Sequence, residues 1–300
     1  MLKVVPKVTS TDLPSPPSGK TGWPWIPEEQ AVGLKGMASW PRISIVTPSY
    51  NQGRFLEEAI RSVLLQKYPN LEYIVMDGGS DDESGSILQK YDRFISYWQS
   101  KPDDGQADAL RQGFELASGD ILAWINADDF YEPVAFSQIA HFFTEHPDTV
   151  LTNGDINLVS EDGAFLRKIY AMRPSFFFAA NLGQHGWPQQ GCFWRRNAYE
   201  TVGGINANYQ FCMDLELFTR LVRYGKSRRF SGKPLANFRI HPRSKTANLQ
   251  DTLRQEKASI ITRYGRPFWT SKPGALEALW QIYRKQAAAR MRWERLKNKS

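Results

Sequence analysis

The sequence predicts an α/β fold, a mostly parallel sheet with helices on both faces. Two observations carry the prediction. Short apolar runs alternate with segments of helical spacing from Ile43 to Leu151, and each run stops at small polar or acidic residues. The run at residues 121–125, Ile-Leu-Ala-Trp-Ile, has no polar interruption, as in a strand buried on both faces, and it leads into Asn126-Ala127-Asp128-Asp129. Adjacent carboxylates at the end of a buried strand are costly unless something neutralises them. A hard divalent cation would do so, because such ions prefer carboxylate oxygens and share their sphere with substrate phosphates. A polar turn is the commoner explanation of an isolated Asp-Asp pair, but the rest of the sequence favours the cation.

Residues 1–40 read as an N-terminal extension. Pro14, Pro16, Pro17, Pro24 and Pro27 forbid continuous helix or central strand, while Trp23, Trp25 and Trp40 give the segment apolar surface to lay on the domain. A surface arm is expected, with a segment that helps close a site as the alternative. Residues 43–47 form a strand ended by Pro48, and Phe55, Leu56, Ala59, Ile60, Val63 and Leu64 recur at helical spacing. Residues 73–76 are a strand, 84–91 a helix, 94–98 a short strand, 107–117 a helix and 121–125 the strand already described. Pro133 sits where a helix can start, and Val150 and Leu151 open a further strand. Beyond about residue 160 the rhythm loosens. Phe176-Phe177-Phe178 reads as a packing cluster, 181–191 as a loop, and 214–224, 252–264 and 274–296 as helices. The implied organisation is an extension (1–40), a catalytic domain (41–248) and a C-terminal helical extension with a basic tail (249–300).

Bulk properties narrow the function classes. At 300 residues, 41% hydrophobic and 13% aromatic, the chain can fill a core. Cys192 and Cys212 form neither a metal spacing nor a disulfide framework, which fits a reducing compartment. No stretch approaches the ~20 apolar residues that span a bilayer, and the start lacks the order of a signal peptide. A cytoplasmic protein is expected. The net charge of +7 is concentrated in the tail, where Arg284, Lys285, Arg290, Arg292, Arg295, Lys297 and Lys299 interleave with Ala287, Met291 and Trp293. Such a helix suits peripheral contact with the inner face of an anionic membrane, with a solvated terminal helix as the alternative. Scattered basic residues without a zinc or RNP-type motif argue against nucleic acid.

In open α/β sheets ligands bind beyond the carboxyl ends of the strands. Three strand ends carry suitable groups here. Thr47-Pro48-Ser49-Tyr50-Asn51-Gln52 offers backbone N–H groups near a helix start. Asp77-Gly78-Gly79-Ser80-Asp81-Asp82 places a carboxylate just past an apolar strand, with glycines that let a ligand approach the backbone. Asn126-Ala127-Asp128-Asp129 is the third. Each alone is weak, since turns favour these residues; the series is not.

The series resembles the large inverting glycosyltransferase family 2, with the GT-A fold. The resemblance rests on Thr47-Pro-Ser-Tyr-Asn, Val75-Met-Asp-Gly-Gly-Ser-Asp-Asp, Lys101-Pro-Asp-Asp-Gly-Gln-Ala-Asp-Ala-Leu-Arg and Ser118-Gly-Asp-Ile-Leu-Ala-Trp-Ile-Asn-Ala-Asp-Asp, and runs from about Arg42 to about Thr246. It implies a nucleotide-sugar donor, usually a UDP-sugar, a divalent metal (Mn2+ or Mg2+), and a carbohydrate or lipid-linked acceptor in polysaccharide, cell-wall or glycolipid synthesis. By position, Thr47, Pro48, Tyr50 and Asn51 would line the nucleotide pocket, with Gly78 and Ala127 beside it, and Asp77 would read the base. Asp108 and Arg111 would hold the nucleotide or its phosphates. The family's Asp-x-Asp stands here as Asn126-Ala127-Asp128, so Asp128 carries the metal and Asn126 is left for ribose.

Further matches lie downstream. Gln189-Gln190-Gly191-Cys192-Phe193-Trp194 is similar to the acceptor-side segment, which makes Gln190 and, in the preceding loop, His185 acceptor-side candidates. Met213-Asp214-Leu215-Glu216-Leu217 is similar to the family's Glu-Asp-x-Asp-Leu helix, whose general base matches Asp214; Glu216 is the fallback. The preceding Glu is Met213 here. A plain carboxylate at a helix N-terminus remains the alternative for Asp214. Phe238-Arg239-Ile240-His241-Pro242-Arg243-Ser244 is similar to a closing Arg-x-His segment, implying His241 as a metal ligand and Arg239, Arg243 and Lys245 as diphosphate contacts. Among rivals, a dinucleotide dehydrogenase would need G-x-G-x-x-G after the first strand, and a sugar-nucleotide nucleotidyltransferase a glycine-rich basic loop there; neither is present. Asn126 and Met213 keep open a non-catalytic nucleotide-sugar-binding protein.

Overall fold

The middle of the central sheet is built by β1 (Ile43–Ser49), β2 (Leu71–Asp77), β3 (Tyr97–Ser100) and β4 (Ile121–Trp124), all parallel, with β1 between β2 and β4 and β3 outside β2. The computed structural model describes residues 2–5, 7–26, 37, 39–184, 186–244 and 250–297, the side chains of 287 and 290–297 excepted. His185, Lys245 and the tail's basic side chains from Arg290 onward lie outside the described residues. β1 and β2 are buried at every position, which explains their unbroken apolar runs. Beyond β4 the sheet continues through β9 (Cys192–Arg195), antiparallel to its neighbours, to β6 (Thr149–Asn153) and β10 (Lys226–Arg229).

Alternation along β9 shows how both faces are covered. Trp194 packs with Trp124 and with Phe114, Tyr199 and Phe218 from α3 (Gln106–Leu116), α6 (Arg196–Thr201) and α7 (Met213–Tyr224). Phe193, pointing the other way, meets Tyr131 and Phe136, the latter on α4 (Ala135–Glu145). Helix α3 crosses the sheet closely: a Cβ on Gly113 would stand 2.6 Å from Val46 Cγ1, so no larger residue fits.

A second sheet was not apparent in the sequence. It has the order β5-β11-β7-β8, formed by Phe130–Tyr131, Ala236–Arg239, Ile156–Val159 and Phe165–Ile169. Its strands are short and, apart from the neighbouring antiparallel pair β7 and β8, far apart in sequence, so little local periodicity announces them. Two other boundaries moved. The strand expected at 94–98 begins at Tyr97, because a 3-10 turn at Asp92–Phe94 buries Phe94 without extended pairing. The helix expected at Pro133 begins at Ala135, after Val134 adopts a left-handed conformation at φ 58°.

The N-terminal residues form an arm on the domain. Val5, Val8, Leu13 and Trp25 are buried, and Val5 N–H donates to the Leu71 carbonyl. The anchor is Arg61 on α1 (Gly53–Leu64). Its fully buried guanidinium donates to the carbonyls of Pro14, Pro24 and Trp25 and lies over the Trp25 ring. At the other end of the chain, α8 (Gln250–Tyr264), α9 (Pro267–Thr270) and α10 (Pro273–Lys297) close against α5 (Phe176–Leu182). Phe178 meets Trp280 and Tyr283, and Phe177 meets Trp269, so the phenylalanine run is a packing cluster. Among the described residues no helix is long and apolar enough to cross a membrane.

Truncating Arg61 removes three donors from buried carbonyls. Arg61→Ala is expected to cost about 2–4 kcal/mol in chemical denaturation. It should also expose residues 2–26 to limited proteolysis while leaving the rest of the domain resistant.

Candidate active site

A cavity of about 1320 Å³ opens at the carboxyl edge of the parallel strands, where the loops after β1, β2, β3 and β4 meet. Pro48, Tyr50, Gly78, Asn126, Ala127, Asp128, Gln190 and Asp214, all singled out in the sequence, line it. Tyr50 is exposed, so its ring face is open to a ligand.

On the β2–β3 side the other expected residues stand behind this surface. Thr47 is fully buried and accepts from the Tyr73 hydroxyl at 3.1 Å. Asn51, at φ 50°, ties two loops together: its N–H donates to Ser80 Oγ, and its Oδ1 accepts from Asp81 N–H. Asp77 is fully buried and accepts from Ser80 N–H (3.0 Å), Ser80 Oγ (2.6 Å) and Ser100 Oγ (2.6 Å). Its carboxylate therefore braces the loop after β2 against the end of β3. The place in the cavity beside Gly78 belongs to Asp103, whose carboxylate oxygens lie 3.2 Å from where a Gly78 Cβ would stand. Burial pushes the Asp103 carboxyl up, the charges of Asp108 and Asp77 add to this, and a hydrogen bond from Gly105 N–H opposes it. Asp103 was quoted in the sequence but given no role; its place after the end of β3, a fourth strand end, is the clue.

Helix α3 turns a different face to the cavity than expected. Gln106 and Ala109 line it, and Gln106 Nε2 donates to Asn126 Oδ1 at 2.7 Å. Asp108 and Arg111 are paired with each other at 2.6 Å, and Arg111 reaches Glu115 as well. Burial disfavours charge on Asp108, but hydrogen bonds from Arg111 and Gln112 outweigh it and hold the carboxyl below its ordinary range.

At the centre the two neighbouring aspartates part company. Asp129 is buried, accepting from Arg239 N–H (2.9 Å), Gln190 Nε2 (2.8 Å) and Asn126 Nδ2 (3.2 Å). Burial, and then the charge of Asp128, push its carboxyl well up. Asp128 alone reaches the cavity, so the pair cannot share one cation as the opening expectation had it. Asp128 Oδ2 lies 3.0 Å from His241 Nε2. The buried imidazole packs on Phe55, with its Nδ1 lacking a hydrogen-bond partner, so packing sets its orientation.

A carboxylate and an imidazole are donor types a divalent ion accepts, so the two groups fit such an ion chemically; the 3.0 Å between them is that of a hydrogen bond. Among the described residues no third His, Cys, Asp or Glu completes a cluster. Arg239, expected at the diphosphate, is instead buried beneath the site. Its Nε donates to the Asp128 carbonyl (2.8 Å), its guanidinium pairs with Glu58 (3.0 Å), and it lies over Phe55 and Phe130. Arg243, two residues past His241, does line the cavity.

Asp214 enters from the first turn of α7. Its Oδ1 accepts from Leu215 N–H at 2.7 Å, and among the described residues Oδ2 accepts no hydrogen bond from the protein. Glu216 is turned away and buried. It accepts from Arg220 Nε and Nη2 and from the Tyr264 hydroxyl (2.6 Å), so it serves packing between α7 and α8. Across the cavity Trp280 and Arg284 of α10 form part of the wall, as do Arg167 and Tyr170 on and after β8, none of which had been assigned to the site. Among the described residues of the N-terminal segment, none lines it.

Removing the Arg239 guanidinium leaves Glu58 as a buried charge without its partner. Burial already pushes the Glu58 carboxyl up, and the Arg239 charge opposes that. Arg239→Met is expected to cost about 3–5 kcal/mol, read as a lowered denaturation midpoint.

Comparison with known proteins places this geometry. The model of glycosyl transferase family 2 matches residues 44–201. An uncharacterized glycosyltransferase of Mycobacterium tuberculosis is 32% identical over 188 residues, which cover 61% of this chain and 70% of that protein. A PGL/p-HBAD biosynthesis glycosyltransferase of Mycobacterium tuberculosis is 28% identical over 186 residues, 60% of this chain and 69% of that one. Among solved structures, S. aureus TarS 1-349 in complex with UDP-GlcNAc aligns with a TM-score of 0.61 at 14% identity, covering 81% of this chain and 72% of that one. The mannosyltransferase PcManGT from Pyrobaculum calidifontis, in complex with GDP-Man and Mn2+, aligns at 0.54 and 15% identity over 84% of each chain. These two likenesses show the fold, and the family match covers more than half of the chain: the protein has the GT-A fold and belongs to glycosyl transferase family 2.

Proposed function

We propose that this glycosyltransferase moves a sugar from a UDP-sugar to an acceptor hydroxyl with inversion at the anomeric carbon, assisted by a divalent metal at Asp128 and His241. The observation that carries the reading is that Asp128, hydrogen-bonded to the buried His241 at 3.0 Å, and Asp214 both line one cavity at the sheet's carboxyl edge. TarS, solved with UDP-GlcNAc, and PcManGT, solved with GDP-Man and Mn2+, support a nucleotide-sugar donor and a metal. The named relative in PGL/p-HBAD biosynthesis supports a place in cell-wall or glycolipid synthesis.

The nucleoside lies between Pro48, Tyr50, Gly78 and Asp103. Tyr50 offers a stacking face, and Asp103 accepts from the base N–H while Asp77 braces the loop from beneath. Asn126, held by Gln106, faces the ribose. Asp128, His241 and Arg243 surround the diphosphate. When bound, the metal offsets the charge that grows on the departing diphosphate. Asp214, fixed by the Leu215 N–H through one oxygen, takes the acceptor proton with the other as the acceptor oxygen attacks. Gln190 stands beside the acceptor.

Exposed Leu279 and Ile282 on α10, beside Arg284 and Lys285, support contact with an anionic bilayer. Flotation with phosphatidylglycerol vesicles should carry the protein up, and the double variant Leu279→Ser/Ile282→Ser should stay below.

Asp214→Asn should abolish sugar transfer and leave UDP affinity unchanged; normal turnover in that variant would remove the base assignment. Asp128→Asn should weaken manganese-dependent UDP binding by about 10–100-fold, with no difference from the parent once EDTA is present. A protein that binds UDP-sugars but neither transfers nor hydrolyses them with manganese would be the non-catalytic binder. Formation of a UDP-sugar from UTP and a sugar phosphate would instead mark a nucleotidyltransferase.

A further inference from the structure

The side of the cavity away from the nucleotide carries an unexplained charge. Arg167 on β8 and Arg284 on α10 both line the cavity, from elements far apart in sequence. Among the described residues neither makes an ion pair or a hydrogen bond. Arg239 and Arg229 are spent within the protein, on Glu58 and Asp155, while Arg243 lines the cavity two residues past His241.

Their place follows from the sheet order. The Asp77 and Asp103 loops follow β2 and β3, on one side of β4. Asn153, at the end of β6 on the opposite side, donates to the Met172 carbonyl at 2.8 Å, which positions the chain running from Arg167 to Met172. Met172 N–H in turn donates to Gly186 O, and a Cβ on Gly186 would meet both Met172 Sδ and the Trp280 ring. Arg284 comes one helical turn after Trp280 and so shares its face. The two arginines therefore stand beyond Asp128 as seen from the nucleotide loops, on the side where Asp214 enters.

Resting on the glycosyl-transfer reading above, we propose that the acceptor carries a phosphate, gripped by Arg167 and Arg284 while Asp214 addresses its hydroxyl. Guanidinium forks match phosphate oxygens in pairs, and forks from two elements suit a group with several oxygens. Both arginines are exposed where they line the cavity, so their forks are open to an anionic group entering it, which a neutral glycan does not supply. The phosphate belongs either to a lipid carrier or to a soluble phosphorylated acceptor.

The test uses the full chain loaded with UDP and manganese. Octyl phosphate and glycerol 3-phosphate are titrated in by calorimetry, with octyl glucoside as the neutral control. Both phosphates should bind, and octyl glucoside should bind more weakly than octyl phosphate. Arg167→Gln and Arg284→Gln should each weaken the phosphates by roughly ten-fold, as for one charge-assisted hydrogen bond. Octyl phosphate binding more tightly than glycerol 3-phosphate assigns the group to a lipid; equal binding assigns it to a soluble acceptor. Three results overturn the proposal: no phosphate binding by the loaded protein, equal binding by the double variant, or a loss of UDP affinity in the variants, which would move the arginines to the donor's diphosphate. If UDP itself fails to bind the parent protein, it is the donor reading that falls.

Discussion

Arg239 is the joint on which the site depends. It ends β11 in the small sheet, yet its backbone N–H holds Asp129, its Nε holds the Asp128 carbonyl, and its guanidinium reaches Glu58 on α1. One buried side chain thus locks the loop after β4 to a helix and to the second sheet. Because His241 lies two residues further on, the same anchor delivers the imidazole to Asp128. A buried ion pair of this kind adds little net stability, since desolvation offsets most of the attraction. What it supplies is position: a carboxylate and an imidazole held in hydrogen-bond contact at the end of β4.

The neighbouring aspartates show why position is needed. Asp128 and Asp129 are alike in sequence and opposite in role. Asp129 accepts three hydrogen bonds in the interior and fixes the turn, while Asp128, among the described residues, has the one side-chain partner His241 and faces the cavity. Gln190 belongs to both stories, since its amide supports Asp129 while the residue lines the cavity. A change there would disturb the loop that aims Asp128 as well as any acceptor, so effects at Gln190 report on both.

How much of this was legible in the sequence depends on the range of the interactions. The parallel strands and their order along the chain could be read because burial on both faces writes itself into local composition, as in residues 43–47 and 121–125. Residues directly at strand ends, Pro48, Gly78 and Asn126 to Asp128, could be placed at the cavity for the same reason. Facing on helices could not. Whether α3 offers Gln106 and Ala109 or Asp108 and Arg111 depends on how Gly113 lets it settle on Val46, a contact across the sheet. Glu216, two residues past Asp214, lies on another helix face, held there by Arg220 one turn on and by Tyr264, 48 residues away; only the second partner is hidden from the local pattern. The small sheet was invisible because its strands are brief and pair only after the large sheet has brought them together.

The C-terminal helices follow the same logic with a different consequence. The segment expected as a C-terminal helical extension (249–300) buries Ile260, Leu276 and Trp280. Trp280 is held between Phe178 and Tyr283, and the same helix face brings Arg284 to the cavity wall. The strand ends of the central sheet supply the groups that suit a nucleotide and a metal, which are common chemical demands. The opposite wall comes from β8 and α10, elements outside the parallel core. Substitutions there can change what faces Asp214 without touching Arg239 or the loops it braces. A helix packed by a few aromatic contacts is therefore a physically economical place for acceptor choice to reside.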